Sequence, residues 1–139
     1  MRVEDIMSVD PLQCRPETGL SEVARMMAEY DCGEIPVCDA AGKPLGVVTD
    51  RDIVCRMVAK GEDPRTHRAE ECMSTPVVTA KPEMSIDECA GLMAQHQVRR
   101  LPVVDERGVC CGIVAQADLA RKAPAATVAN VLEGVSEES

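Results

Sequence analysis

The chain carries the same pattern twice. Sliding the sequence against itself by 66 residues aligns residues 7–53 with residues 73–119 without a gap, and 15 of the 47 aligned positions are identical. An internal repeat of this kind constrains the fold more than composition does. Two copies are too few for a solenoid, and a copy of roughly 60 residues buries little core alone. We therefore predict two similar units that share one core about a pseudo-twofold axis and leave two related clefts.

Each copy has the element order strand, helix, strand, strand, helix. Apolar residues spaced i, i+3, i+4, i+7 predict one buried helix face per copy, formed by Leu20, Val23, Ala24 and Met27 in the first and by Ile86, Cys89, Ala90 and Met93 in the second. Ser85 and Glu88 fit a capping box at the start of the second of these helices. The pattern predicts an α/β chain of two tandem β-α-β-β-α units.

The copies and the segments between them set the expected boundaries. We place the first repeat at residues 1–60, a linker at 61–68, the second repeat at 69–123, and a C-terminal helix with an acidic tail at 124–139. In the first repeat we further expect a lead-in helix over residues 2–7, a short strand over 12–15 and a helix over 50–60.

Composition excludes several classes of partner. The net charge is −9, whereas duplex nucleic acid and anionic membranes bind mainly Lys and Arg. The chain has no Trp or Phe and one Tyr, so it lacks the aromatic platforms that bind single strands. The sequence contains no run of 18 apolar residues, so we predict no membrane span. The first residues lack the apolar region of a signal peptide. We expect a cytoplasmic protein.

Eight cysteines raise the question of a metal or redox site. They form no C-x-x-C pair, and the two histidines stand at no zinc-finger spacing. Six align with an apolar residue of the other copy, which favours small buried hydrophobes: Cys14, Cys32, Cys38, Cys72, Cys89 and Cys111. Cys55 and Cys110 are the better candidates for exposed thiols. We predict no metal site.

Two motifs, each present in both copies, resemble a known family. In the first copy they are the runs Ile35–Asp39 and Gly46–Ile53. In the second copy they are the runs Gln97–Asp105 and Gly112–Val114. Over residues 2–123 the chain resembles a stand-alone bacterial CBS-domain pair, or Bateman module. The resemblance implies β-α-β-β-α units packed through their sheets. It also implies a homodimer and clefts for adenosine-containing ligands such as AMP, ADP, ATP, NAD or S-adenosylmethionine.

The resemblance assigns one cleft to residues from both repeats. It joins a helix start to apolar strand residues and two adjacent arginines: Thr49, Asp50, Arg51, Asp52, Val77, Val78, Arg99 and Arg100. A carboxylate one turn into the helix can accept both ribose hydroxyls, and the arginines can bind phosphate. Two plainer explanations stay open. Thr49 and Asp52 also fit an ordinary helix cap, and the arginines also fit surface ion pairs.

The equivalent cleft is expected to bind more weakly. The residues assigned to it are Gln13, Cys14, Gly33, Glu34, Gln116 and Asp118. Ala115 stands where the other copy has the Thr49 hydroxyl, and Glu34 would repel phosphate at close range. Asp118 is retained without a hydroxyl partner, which slightly favours a ligand role for this acid over a capping role.

No residue set in the chain pairs a nucleophile with a base, so binding is favoured over catalysis. We predict a non-enzymatic regulatory module with an adenine nucleotide as its ligand, no required cofactor, and an unknown effector protein as its downstream partner. One alternative is a stress-response interaction module without a tight ligand. The other is a thiol redox sensor that uses Cys55, Cys110 and Cys111.

Overall fold

The computed structural model describes residues 1–9 and 11–122. Residues 12–77 form one compact unit, called here the first-repeat unit, and the described residues of 1–11 and 78–122 form the second-repeat unit. The predicted last helix over residues 125–135 and the tail lie outside the described residues. The regular elements in chain order are β1 (Ser8–Val9), α1 (Leu20–Tyr30), β2 (Glu34–Cys38), β3 (Pro44–Thr49), α2 (Asp50–Asp52), α3 (Ile86–His96), β4 (Arg100–Val104), β5 (Cys110–Ala115) and α4 (Gln116–Lys122).

The first-repeat unit is built on an antiparallel hairpin of β2 and β3. Ile35 lies opposite Val48, and the register shifts between Val37 and Cys38. The strand predicted over residues 12–15 is reduced to one parallel bridge, in which Cys14 lies beside Val37. After β3 the chain stays helical to residue 60, as predicted, but the helix type changes from α to π over Ile53–Met57 and to 3₁₀ over Val58–Lys60.

The second-repeat unit has the equivalent hairpin of β4 and β5, with Leu101 opposite Val114. Strand β1 extends it to a three-stranded sheet in the order β1-β5-β4. Ala80 forms a single parallel bridge to Val103, as Cys14 does to Val37 in the other unit. The repeat seen in the sequence is therefore a repeat of hydrogen-bonding patterns as well.

Each hairpin is completed by the segment that precedes the other repeat. Ser8 pairs with Ile113 of β5, and Ser74 exchanges backbone hydrogen bonds of 2.8 and 3.2 Å with Val47 of β3. Both contacts need a glycine, because an added Cβ at Gly46 would lie 2.7 Å from the Ser74 carbonyl oxygen, and one at Gly112 would lie 2.8 Å from that of Ser8. These glycines are identical in the repeat because the backbones approach so closely.

The two lead-in segments are themselves alike. Val3–Asp5 and Ala69–Glu71 are 3₁₀ turns at the repeat offset. In the first, the Arg2 N–H donates to Asp5 at 2.7 Å, and in the second the Arg68 N–H donates to Glu71 at 2.6 Å. The helix predicted over residues 2–7 is thus a single short turn, stabilised by an acid that accepts the N–H group at its start.

Most buried apolar side chains of the described residues belong to one of two clusters, one in each unit, and four are buried outside both: Cys38, Val104, Ile113 and Ala115. The single core shared by the two repeats stays a prediction. The lead-in segments contribute to the clusters, since Val3 and Ile6 lie in that of the second-repeat unit and Ala69 and Cys72 in that of the first. The face predicted for α3 is buried throughout. On α1 Leu20, Val23 and Met27 are buried, but Ala24 is exposed, so its place on that face was wrong.

The first turns of α1 and α3 differ. Ser85 caps α3 as predicted, accepting the Glu88 N–H at 3.1 Å. The Glu88 carboxylate accepts from the Ser85 hydroxyl at 3.3 Å. In α1 the equivalent position is Gly19, which offers no side-chain cap. The helices begin at matching positions because the apolar pattern that buries them is the same.

The cysteines divide by burial. Four of the six predicted to be buried are buried, namely Cys14, Cys38, Cys72 and Cys89, whereas Cys32 and Cys111 are only partly buried. Burial raises the pKa of the Cys89 thiol to about 11, and burial together with the Glu22 carboxylate raises that of Cys14 to about 11. Cys55 is exposed, as predicted, and Cys110 is partly buried.

Candidate functional site

The junction of β3 and α2 is a reciprocal helix cap. The Thr49 hydroxyl accepts the Asp52 N–H at 3.0 Å, and the Asp52 carboxylate accepts the Thr49 N–H at 3.0 Å. Thr49 has extended backbone angles and Asp52 is the third helical residue, as this capping box requires. The plainer of the two explanations for this pair is therefore realised. A capping carboxylate still has lone pairs to offer a ligand.

Asp52 has further partners that sequence reasoning missed. The Ser74 hydroxyl donates to its two oxygens at 3.0 and 3.1 Å, and the Arg56 Nε lies 3.5 Å from Oδ1. Arg56 also donates to the Met73 carbonyl oxygen at 3.3 Å. Two signals in the sequence point to these partners, since Ser74 is identical with Ser8 in the repeat and Arg56 stands four residues after Asp52. The buried acid is thus tied to the segment that enters the second repeat.

Asp118 has the equivalent place in the second-repeat unit. Its Oδ2 accepts the Ala115 N–H at 2.8 Å, which reproduces half of the capping box without a hydroxyl. Its Oδ1 accepts from Arg121 Nη2 at 2.6 Å. Capping and an ion pair therefore also account for the retained acid, and its ligand role stays a prediction.

Each helix start lies beside the beginning of the first strand of its own hairpin and the residue before it. In the first-repeat unit, the Asp50 N–H donates to the Gly33 carbonyl oxygen at 2.9 Å, and Glu34 lies opposite Thr49 in the register. A Cβ at Gly33 would lie 3.1 Å from the Asp50 carboxylate, so the glycine leaves room for that acid.

The second-repeat unit has arginines at the same place. The Gln116 N–H donates to the Arg99 carbonyl oxygen at 2.8 Å, and Arg100 lies opposite Ala115. Within the units, therefore, the arginines accompany Asp118, and Gly33 with Glu34 accompany Asp52. The combination of Thr49–Asp52 with Arg99 and Arg100 across the repeats stays a prediction.

The remaining predicted site residues differ in exposure. Asp50, Arg51, Arg99 and Gln13 are exposed, Val77, Val78, Arg100 and Gln116 are partly buried, and Cys14 is buried. The Asp50 carboxylate accepts the Arg51 N–H at 2.8 Å. Among the described residues no three His, Cys, Asp or Glu side chains are grouped as a metal site requires. Within the same part of the chain, no helix combines the length and apolar character needed to cross a membrane.

Comparison with known proteins identifies the family. Residues 3–59 and residues 69–125 each match the CBS domain. The chain belongs to the CBS-domain family. It is a CBS-domain pair, and the predicted family and fold class are thereby confirmed. CBS domain-containing protein YhcV of Bacillus subtilis is 42% identical over 118 residues, which are 85% of this CBS pair and 82% of YhcV.

Two further relatives carry information on ligands. Hypoxic response protein 1 of Mycobacterium tuberculosis is 34% identical over 131 residues, 94% of this CBS pair and 91% of that protein. A crystal structure of Hypoxic Response Protein I with two coordinated zinc ions has a TM-score of 0.82 at 36% identity, covering 89% of this chain and 100% of that one. The CBS-domain pair of MJ0100, in complex with 5′-methylthioadenosine and S-adenosyl-L-methionine, has a TM-score of 0.78 at 28% identity, covering 87% and 94%.

Proposed function

We propose that this CBS pair is a non-enzymatic, cytoplasmic sensor of an adenosine-containing ligand, of the group AMP, ADP, ATP, NAD and S-adenosylmethionine. The observation that carries the proposal is the buried Asp52 carboxylate, held at the start of α2 by the Thr49 cap. The MJ0100 pair, which has the same fold and is solved with two adenosine compounds, supports the same ligand class.

Asp52 is suited to ribose because its orientation is fixed and its charge is only partly compensated. The Thr49 N–H and the Ser74 hydroxyl fix both oxygens, and Arg56 Nε stands 3.5 Å away, beyond a good hydrogen bond. An ionised carboxylate can accept about four hydrogen bonds, and Thr49 and Ser74 together supply two donors. The remaining capacity matches the two hydroxyls of a ribose.

The phosphate partners in this proposal are Arg99 and Arg100, and the purine walls are Val77 and Val78. Guanidinium groups bind phosphate through several parallel hydrogen bonds, which suits two adjacent arginines in an otherwise acidic chain. The weaker second site would use Gln13, Cys14, Gly33, Glu34, Gln116 and Asp118. We expect one ligand per chain with much higher affinity than a second.

Titration calorimetry with a panel of the five ligands and adenosine tests the proposal on the full chain. We expect one tight site, and a ligand at about 100 times its dissociation constant should stabilise the fold by about 2.7 kcal/mol. Arg100→Ala should weaken the binding of AMP by at least about tenfold, or about 1.4 kcal/mol, while the binding of adenosine stays nearly unchanged. Two equal sites per chain, or no binding by any panel member, would contradict the proposal.

A homodimer is part of the same proposal. Val54 and Val58 lie one helical turn apart and are 56% and 57% exposed, which is a high exposure for neighbouring apolar side chains. A partner copy covering this face would remove both from water. Sedimentation velocity of the full chain tests this, and a monomer at micromolar concentration would contradict it.

One observation weakens the redox alternative. Burial raises the pKa of the Cys111 thiol, and the Asp105 carboxylate adds to the shift. The thiolate is the reactive form of cysteine, so a raised pKa lowers the reactivity of Cys111 at neutral pH. The adenosine sensor is therefore the function that the site supports best.

A further inference from the structure

The two buried acids have different partners for their free oxygen. Asp118 Oδ1 accepts from the Arg121 guanidinium at 2.6 Å within α4, and Asp52 Oδ1 accepts from the neutral Ser74 hydroxyl at 3.0 Å. The residue equivalent to Arg121 in the first repeat is Cys55, which is exposed and carries no cation. This difference between the repeats is separate from the loss of the Thr49 hydroxyl at Ala115.

We propose that Arg121 pairs with the Asp118 oxygen that would otherwise accept a ribose hydroxyl, and that it thereby weakens ligand binding at the second site, which contains Asp118. The inference rests on the proposed function, because it assumes that a carboxylate at this position accepts ribose hydroxyls. It assigns the difference in affinity between the sites to an ion pair inside the chain. Arg121 is in this sense a specificity-determining residue.

The geometry explains why a ribose competes poorly at Asp118. One oxygen accepts the Ala115 N–H at 2.8 Å and the other accepts from the guanidinium at 2.6 Å, so a ribose hydroxyl would share that second oxygen with a cation. The guanidinium adds a charge–charge attraction to its hydrogen bond, which a neutral hydroxyl donor cannot supply. A neutral ribose hydroxyl that displaces the guanidinium from Asp118 therefore loses that attraction. One that displaces the Ser74 hydroxyl from Asp52 replaces one neutral donor by another and leaves Arg56 Nε at 3.5 Å.

Burial sets the size of the effect. The Asp118 side chain is 7% exposed and that of Arg121 is 68% exposed. The carboxylate therefore cannot rely on water in place of its partner, while the arginine can swing into solvent once it is released. The ion pair should weaken ligand binding by about tenfold to a hundredfold, the range of a hydrogen bond to a charged group, and should not abolish it, since the arginine end is screened.

The test is calorimetry of the full chain with AMP, and with S-adenosylmethionine as a second probe. The wild type should bind one equivalent. Arg121→Cys, which installs the residue of the first repeat, should bind a second equivalent at least tenfold more tightly than any second event in the wild type. Arg121→Cys with Asp118→Asn should return to one equivalent, because the acid that receives the ribose is removed.

Two further variants keep the result interpretable. Arg121→Gln removes the charge and keeps a polar side chain, so it replaces the cysteine variant if thermal unfolding shows that the latter is not folded. Ala115→Thr restores only the missing hydroxyl, and a second equivalent in this variant but not in Arg121→Cys would assign the weaker binding at the second site to Ala115. A single equivalent in folded Arg121→Cys and Arg121→Gln would overturn the inference and leave the sensor proposal standing. Absence of binding in the wild type and in every variant would overturn both.

Discussion

Asp52 and Asp118 occupy the same place in the two repeats and accept the same backbone hydrogen bond, at 3.0 and 2.8 Å. Both are buried, but their side-chain partners differ. Asp52 has a threonine cap, a serine hydroxyl and a distant arginine, whereas Asp118 has no hydroxyl cap and a close arginine. The shared bond is what a helix start needs in order to fold. The differences lie in the other partners of the carboxylate oxygens, and these partners decide how much hydrogen-bonding capacity is left for a ligand.

The flanking residues show the same contrast. Beside the Asp52 helix start lie Gly33 and Glu34, and beside the Asp118 helix start lie Arg99 and Arg100. A change of sign at one structural position, in two units with the same hydrogen-bonding pattern, alters the field at a possible ligand without altering the fold. The features shared by the two repeats are therefore those that the fold requires, and the charges that differ are those that could set ligand affinity.

The largest expected effect tests whether aligned positions are interchangeable. Cys89 and its counterpart Val23 are both fully buried. Cys89→Ser should lower the free energy of unfolding by about 1 to 3 kcal/mol, because it buries a hydroxyl in an apolar core. Cys89→Val should be tolerated, since the other repeat already has valine there. Urea unfolding measures both, and equal losses for serine and valine would show that the two cores are not equivalent at this position.

A reciprocal exchange of the capping residue sharpens the comparison of the two acids. Thr49→Ala should lower the free energy of unfolding by about 1 kcal/mol, because the Asp52 N–H loses its acceptor. Ala115→Thr should raise the free energy of unfolding by a similar amount, since Asp118 already makes the other half of the capping box. Urea unfolding of the two single variants and the double variant checks this. A destabilising Ala115→Thr would mean that the second helix start has no room for the hydroxyl.

The smallest expected effect concerns the identical serines of the repeat. Ser74→Ala removes a donor to the buried Asp52 and should cost about 0.5 to 1.5 kcal/mol. Ser8→Ala is the matched control, because Ser8 is exposed and its loss should change stability by less than about 0.5 kcal/mol. Thermal unfolding compares them. Equal midpoints would show that the Ser74 hydroxyl adds nothing to the stability of Asp52.

Much of the fold follows from the sequence because burial repeats with the apolar pattern. The hairpins of β2 with β3 and of β4 with β5 follow α1 and α3 in the order that the repeat predicts, and the helical spacing predicts most of the buried face of those helices. Ala24 is exposed although Ala90 at the equivalent position is buried, so helical spacing alone does not fix which alanine on such a face is covered.

The candidate site was less predictable than the fold. The pairing of Thr49 with Asp52 is local and follows from a spacing of three residues. The contact of Ser74 with Asp52 joins residues 22 positions apart and depends on how the lead-in segment lies along β3. The ion pair of Asp118 with Arg121 is local, yet arginine at that spacing is so common on helix surfaces that spacing alone does not single it out.

The exchange of lead-in segments also sets the order in which the units can form during synthesis. The first-repeat unit is contiguous, so all of it has been made before residue 78 is added. Strand β1 instead waits for its partner, since Ser8 pairs with Ile113, which is made 113 − 8 = 105 residues later. At about 5 to 20 residues per second, that wait lasts about 5 to 20 s. Strand β1 is thus synthesised well before β5, the strand with which it pairs.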